Sequence, residues 1–450
     1  MLFLLSIPIC PKPRNPYKMN RLFFVSFALI GCFYSQAQAP LTKERAIEIA
    51  LENSNLLQIS KAQRNIALND ATLGNAGFLP TLNATGSLMR ASNNQNAVFF
   101  NGNTQDRKNA QFMQWNAGIS ANWVIFNGMR RLNMYQRLRE TYDRADAQTK
   151  VDIQNAVSRV CSSYYEALRQ QEILQAFQNT LEIYQSRLQL AETRVQVGMA
   201  SKSDVLLTKV DINTQRSLLI RQKNNVENAK LALNSALNQD PNTPLSIPSG
   251  SPIPQTDTNV VFSDLAPQLL VTQKSIGIAQ RQYKETNAAY LPILSANAGY
   301  NYTQQRSEAG QLLSNKSFGP TSGITLSWFL FEGMNKNRLG KNALLQVDIS
   351  RMLHEENKRN QLLAFQQAHT RYKSALQILH IETESYGMAK ESNEIAKLRY
   401  QEGRMNIFEY RETQRALEEA NIRMANARYD ALIAETELKR LNGEVEMLGR

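Results

Sequence analysis

The chain is written twice, and that constrains its fold more than any other feature. An alternating segment begins after Leu79-Pro80, and a second one ends in the run Trp123 to Gly128 (WVIFNG). The same order begins again after Leu291-Pro292 and ends in Trp328 to Gly333 (WFLFEG). Trp123 and Trp328 are 205 residues apart, and so are Gly198 in VGMASKSD and Gly403 in EGRMNIFE. One spacing shared by two unlike motifs marks a structural repeat. Each copy mixes strand and helix periods over about 200 residues, which excludes short-repeat solenoids.

Within each copy the strand signal is period two. Trp115, Ala117, Ile119, Ala121, Trp123 and Ile125 alternate with Asn116, Gly118, Ser120 and Asn122. Ile324, Leu326, Trp328 and Leu330 repeat the pattern against Thr325 and Ser327. Leu82, Ala84, Gly86 and Leu88 form a weaker stripe, matched by Leu294, Ala296, Ala298 and Tyr300. Each segment has the length of a tilted strand crossing a bilayer. The polar stretches 91–114 and 303–320 are expected to be hairpin tips. Four strands cannot close a barrel, so the chain makes either a soluble sheet with one wet face or part of a shared barrel.

The rest is helical. No proline or glycine interrupts 130–197, and 334–402 has only Gly340 and Gly387 inside it. At ~1.5 Å per residue each run spans roughly 100 Å, a length that needs lateral partners. A 3.5-residue rhythm supplies them. One row runs through Ile153, Val157, Val160, Tyr164 and Ala167, then on through Phe177, Tyr184, Leu188 and Ala191. Rows Ile212 to Ala236 and Leu417 to Leu441 match it, and Gln215 and Gln222 predict a partly wet seam. Gly198 and Gly403 fit helix C′ positions of positive φ. Ser201 or Ser203, and Asn406, are candidate caps for the helices that follow. Each copy is thus one shorter helix, a strand hairpin, a very long helix, a tight turn and a shorter helix. The expected units are 1–37 (signal), 38–240 (first repeat), 241–257 (a proline-rich linker on the surface) and 258–450 (second repeat).

The formal charge of +12 includes four basic residues before position 40, so a processed chain carries 12 − 4 = +8. Its basic residues alternate with acids on helices, which describes solvated faces and not a nucleic-acid surface. Met19-Asn20-Arg21, the core 22–33 and Ser35-Gln36-Ala37 read as an export signal, with Met19 as a candidate true start. Leu29-Ile30-Gly31-Cys32 also resembles a lipobox, which would make Cys32 a lipidated N-terminus. Cys161 would then be the one cysteine in the body of the chain, placed for a buried structural thiol. His354, His369 and His380 lack metal-ligand spacing, and no phosphate loop or nucleophile-base constellation stands out. No cofactor, metal site or enzymatic reaction is expected.

With the two-copy arrangement, the L-P and W-x-x-F-x-G motifs and the paired glycine turns in view, the chain resembles the TolC-like outer-membrane efflux family over essentially its whole length past the signal. The resemblance implies a mainly helical protein with a transmembrane β-barrel. Three chains would share twelve strands, continued by a long helical barrel in the periplasm. It implies an outer-membrane exit duct, docked to a periplasmic adaptor and through it to an inner-membrane pump. Glu409 and Glu412 match an acidic pair that narrows the pore. Asp204, Tyr400 and Arg404 match a lock that holds it shut, with Arg404 one residue after Gly403 where the family places its arginine two after. Nearby Arg399 is a candidate substitute. The adaptor would meet Val197, Gly198, Met199 and Ala200 at one tip and Glu402, Gly403 and Arg404 at the other. The rival from another class is a periplasmic coiled-coil structural protein with a soluble sheet.

Overall fold

The computed structural model describes residues 40–444 apart from 249, 251, 256–259, 265 and 309–311. The export signal and Cys32 lie outside the described residues. The first repeat opens with two helices where one was expected, α1 (Lys43–Asn53) and α2 (Asn55–Asp70). Ser54 breaks them: its ψ of 108° leaves the helical region, and its Oγ accepts from the Leu57 N–H at 3.2 Å, capping α2.

β1 (Thr81–Val98), β2 (Thr104–Asn127), β3 (Ile293–Ser307) and β4 (Ser314–Ser327) form one antiparallel sheet in sequence order, so the two hairpins of the two repeats lie side by side. β1 and β4 are its edges. The strands run much further than expected. Val98 pairs with Thr104, so nearly all of 91–114 is ladder and the first tip shrinks to 99–103. Likewise β3 runs to Ser307 and β4 begins at Ser314. Where both faces of a hairpin are wet, alternation is not needed; backbone pairing alone carries the ladder outward, and it leaves no mark in the hydropathy. At the other end β4 stops early. Ser327 pairs with Ile293, the first residue of β3, so Trp328–Phe331 have no strand to pair with.

Register settles the faces. Leu88, Trp115 and Gln304 lie in one row, as do Ala84, Ile119, Tyr300 and Pro320. One face carries the apolar set, the other Asn, Ser, Thr and Gly. On the polar face Asn116 donates to Ser87 and accepts from Thr303. Gly118 opposes Asn301, whose Oδ1 would lie 2.5 Å from any added Cβ. A bulge at Ile125 shifts the apolar face by one residue, so Phe126 rather than Ile125 opposes Leu294.

The two recurrent motifs are one device. The Trp123 indole donates to the Phe78 carbonyl at 2.9 Å, and Trp328 donates to the Tyr290 carbonyl at 3.1 Å. Arg131 lies over the Phe78 ring at 5.0 Å, and Lys336 over the Tyr290 ring at 6.0 Å. The tryptophan thus ties the exit of each second strand to the residue two before each leucine-proline's proline. Gly128-Met129 and Gly333-Met334 then turn with positive φ at both residues and start the long helices.

Those helices are α3 (Arg130–Gln196) and α6 (Asn335–Gln401), both uninterrupted. α4 (Lys202–Ala236) and α7 (Ile407–Asn442) return about half of each length. α5 (Pro267–Asn287), followed by a single 3-10 turn, occupies the other half in the second repeat, as α1 and α2 do in the first. The main core lies where α1 begins and α4 ends: Ala46, Ile47, Val160, Cys161, Tyr164, Leu233, Leu237 and Tyr429. Burial there pushes the Cys161 thiol up to about 11, so it stays protonated and inert. The linker does more than cover the surface. Ile247 is buried in this core, contributing about 2 kcal/mol of apolar burial. The Asn234 amide donates to the carbonyls of Pro241 and Thr243, both at 2.8 Å.

The seams follow the expected rhythm, with one difference. Gln222 and Gln215 are buried and donate to the α3 carbonyls of Gln170 and Phe177, so the seam is polar and hydrogen-bonded at those points. Near the end of α3 the buried residue is Arg187, not Leu188. Among the described residues no helix is long and apolar enough to cross a membrane.

Candidate functional site at the helical tips

Both long helices end in the same backbone arrangement. After α3, the Gly198 N–H bonds to Val195 O and the Met199 N–H to Arg194 O; after α6, Gly403 bonds to Tyr400 O and Arg404 to Arg399 O. Gly198 and Gly403 have φ of 77° and 78°. This is a Schellman end, and it needs a residue that tolerates the left-handed region. Three residues on, Ser201 and Asn406 cap α4 and α7. The third helical residue of each is an acid, Asp204 or Glu409, facing back to its cap. Asp204 accepts from the Ser201 N–H at 3.3 Å, and Glu409 from the Asn406 side-chain amide at 2.8 Å. At α4 this is a capping box, which satisfies backbone amides that would otherwise be free, while at α7 the Asn406 side chain itself accepts from the Glu409 N–H at 2.9 Å.

Val197 and Met199 are each 63% exposed at their tip, with open space around Gly198. Ala200 is half-buried, and Glu402, Gly403 and Arg404 are exposed. Glu409 and Glu412 are both exposed on one face of α7. The arginines that could neutralise them are engaged elsewhere: Arg411 with Asp211 at 2.8 Å and Arg415 with Glu419 at 3.2 Å. Glu412 makes no hydrogen bond or ion pair among the described residues.

Asp204, Tyr400 and Arg404 line one hollow of about 510 Å³, together with Arg194, Met199 and Glu409. Their side chains do not bond one another. Arg404 pairs with Glu402 at 3.2 Å, Asp204 serves its cap, and the buried Tyr400 hydroxyl has no hydrogen-bond partner among the described residues. Tyr400 is held by other means. Arg194 donates to its carbonyl at 2.8 Å and covers its ring at 4.7 Å, while Tyr410 stacks on it at 4.9 Å. Burial raises the Tyr400 pKa, with Arg194 opposing.

Sequence reasoning missed a buried charged tie between the repeats. Arg187, 2% exposed, donates to Gln414 at 2.6 Å and pairs with Asp211, whose other oxygen is held by Arg411. The Tyr184 ring lies beneath the Arg187 guanidinium at 4.7 Å. One carboxylate on α4 is therefore clamped between α3 and α7. The only sequence signal was a charged residue standing beside Leu188 in an otherwise apolar row. Arg194 was more legible, since a basic residue in a last helical turn complements the helix dipole.

A family model described as outer membrane efflux protein matches residues 46–239 and 264–444. The outer membrane protein TolC of Vibrio cholerae serotype O1 is 21% identical over 429 residues, covering 92% of this chain and 95% of that protein. The Campylobacter jejuni CmeC outer membrane channel superposes with a TM-score of 0.71 at 16% identity, over 97% of this chain and 94% of that one. The open state of the Neisseria gonorrhoeae MtrE outer membrane channel gives 0.70 at 16% identity, over 89% and 88%. At such identities the structural likenesses speak for the fold alone.

Proposed function

The chain belongs to the outer membrane efflux protein family, and from that premise we propose how its parts work as the exit duct of a tripartite export system. It is an outer-membrane channel component, with its sheet in the membrane and its helices in the periplasm. The duct is a homotrimer. One observation carries this: the chain leaves two surfaces without partners. The sheet has two free edges, β1 and β4, which water-free lipid does not tolerate. α6 has nine buried residues against eighteen in α3, and it exposes Leu344, Leu345, Met352, Leu353, Leu363 and Ile381. Two further copies supply the missing neighbours, giving twelve strands and a closed ring of helices.

The tips lie farthest from the sheet, where a periplasmic adaptor docks and links the duct to an inner-membrane pump. Val197, Met199 and Ala200 offer apolar contact, Gly198 and Gly403 close approach of a partner backbone, and Glu402 and Arg404 polar contacts. Glu409 and Glu412 face the pore. Repeated by threefold symmetry they become two acidic rings that attract cations. Asp204, Tyr400 and Arg404 form the lock around their shared hollow when a neighbouring chain completes it. The export role is passive transport, with no chemistry assigned to any residue.

Single-channel conductance in a planar bilayer tests this. The wild type should give a small, cation-selective conductance, and Glu409→Ala/Glu412→Ala should lose most of the selectivity. Unchanged selectivity would discard the acidic aperture and keep the duct. Intact trimers with no conductance under any voltage would count against the duct itself.

A further inference from the structure

We propose that the extracellular rim of the barrel is a docking surface for the phosphorylated headgroup of an outer-leaflet lipid, held by Arg90, Arg306 and Lys316. Register places all three on the apolar, lipid-facing side of the sheet. Leu88 pairs with Trp115 on that face, so Arg90, two residues on, shares it, opposite Met113. Met113 in turn opposes Arg306. Tyr302 opposes Phe318, so Lys316 lies on the same face, in the row of Gln304. The apolar band ends here: Leu82 to Leu88 on β1 gives way to Arg90, and Trp123 to Met113 on β2 gives way to Gln111. The helices leave from the opposite end of the sheet, so this rim is the extracellular one.

The three cations stand close together. Arg90 and Arg306 are two strand spacings apart, about 10 Å, and Lys316 is a diagonal neighbour of Arg306. All are exposed, and none pairs with a carboxylate among the described residues. The Lys316 ammonium lies 5.5 Å from the Tyr302 ring and 5.9 Å from that of Phe318. Its charge thus rests over the outermost aromatics of the band, at the level where the apolar face ends. The acid nearest in the chain, Glu308, is turned to the backbone and accepts from the Gln111 N–H at 3.1 Å. Asp106 lies beyond the irregularity at Asn93/Gln95. A rim of unpaired guanidinium and ammonium groups directly above lipid-facing aromatics is complementary to phosphate on a lipid, since guanidinium binds phosphate through paired hydrogen bonds. The other face bears no such cluster at this level: its residues are Met89, Gln114, Gln305 and Asn315.

The inference rests on the outer-membrane placement of the sheet, so conductance of the same preparations is measured alongside. The detergent-purified full chain is titrated with diphosphoryl lipid A and with its dephosphorylated form, and bound lipid is read by native mass spectrometry. The wild type should hold the phosphorylated lipid at least about tenfold more tightly, given the attraction of several cations near one anionic headgroup. Arg90→Ser/Arg306→Ser/Lys316→Ser should remove that preference and leave conductance as in the wild type. Arg90→Lys/Arg306→Lys should keep most of it. Equal retention of the two lipids by the wild type, which needs no variant, would overturn the proposal. So would a triple variant that conducts normally and keeps the preference. Loss of conductance in the wild type itself would instead strike at the duct.

Discussion

At the scale of single residues, the buried charges near the tips decide how the repeats are joined. Arg187 is buried and depends on Asp211, which is mostly buried itself. Removing the acid strands a guanidinium, whereas removing the guanidinium leaves Asp211 with Arg411. Asp211→Ala should therefore cost about 3 kcal/mol, and Arg187→Met distinctly less. Comparing thermal unfolding of the two by far-ultraviolet circular dichroism checks the asymmetry. Glu418, two turns further along α7, has its pKa raised chiefly by burial, against the lowering pull of Gln215 and Tyr184. The folded protein then binds a proton more tightly than the unfolded chain. The stability this contributes is complete below the ordinary carboxylate range and is lost as pH rises through the elevated value. Glu418→Gln should match the wild type at acid pH and exceed it in stability at pH 7. A variant no more stable at pH 7 would mean that Glu418 is not strained by burial.

At the scale of elements, the turns and the strand exits were legible because glycine and proline have few alternatives. Gly198 and Gly403 announced positive φ, and both have it. Alanine at either position meets no clash, since open space surrounds Gly198 and the neighbours of Gly403 are at van der Waals distance. The penalty is therefore that of the left-handed backbone alone, about 1 kcal/mol. Gly198→Ala and Gly403→Ala should each speed amide hydrogen exchange at Met199 or Arg404, the residues whose N–H closes the turn, with the helix bodies unaffected. Full protection at those amides would show that the turn does not depend on glycine. Strand length was not legible. The polar ladder beyond the apolar band, the end of β4 at Ser327 and the bulge at Ile125 all depend on what the partner strand does. The break at Ser54 was similarly hidden, because a serine inside a helical stretch is also compatible with a continuous helix.

At the scale of the whole molecule, two sequence copies of one plan differ in what they bury. α3 lies among α1, α2, α4, α5 and α7, while α6 packs chiefly on α5 and α7 and keeps an apolar stripe exposed. In the proposed trimer a second copy of the chain covers that stripe. Leu345→Asp/Leu353→Asp should abolish the trimer in detergent and keep the helical content, as read by light scattering and circular dichroism. A trimer surviving both charges would place the subunit contact elsewhere.

The sequence by itself determined the two-repeat plan, the strand faces, the unbroken long helices and the glycine tips. Each rests on local chemistry: a period, a motif or a residue with restricted backbone freedom. Only the tertiary structure decided that Arg187 rather than Leu188 enters the seam. It also decided that Arg90, Arg306 and Lys316 share one rim. Those outcomes depend on which side chains meet across helices and strands far apart in the chain. No periodicity within a single element encodes that, because it is set by the register and packing of the elements around it.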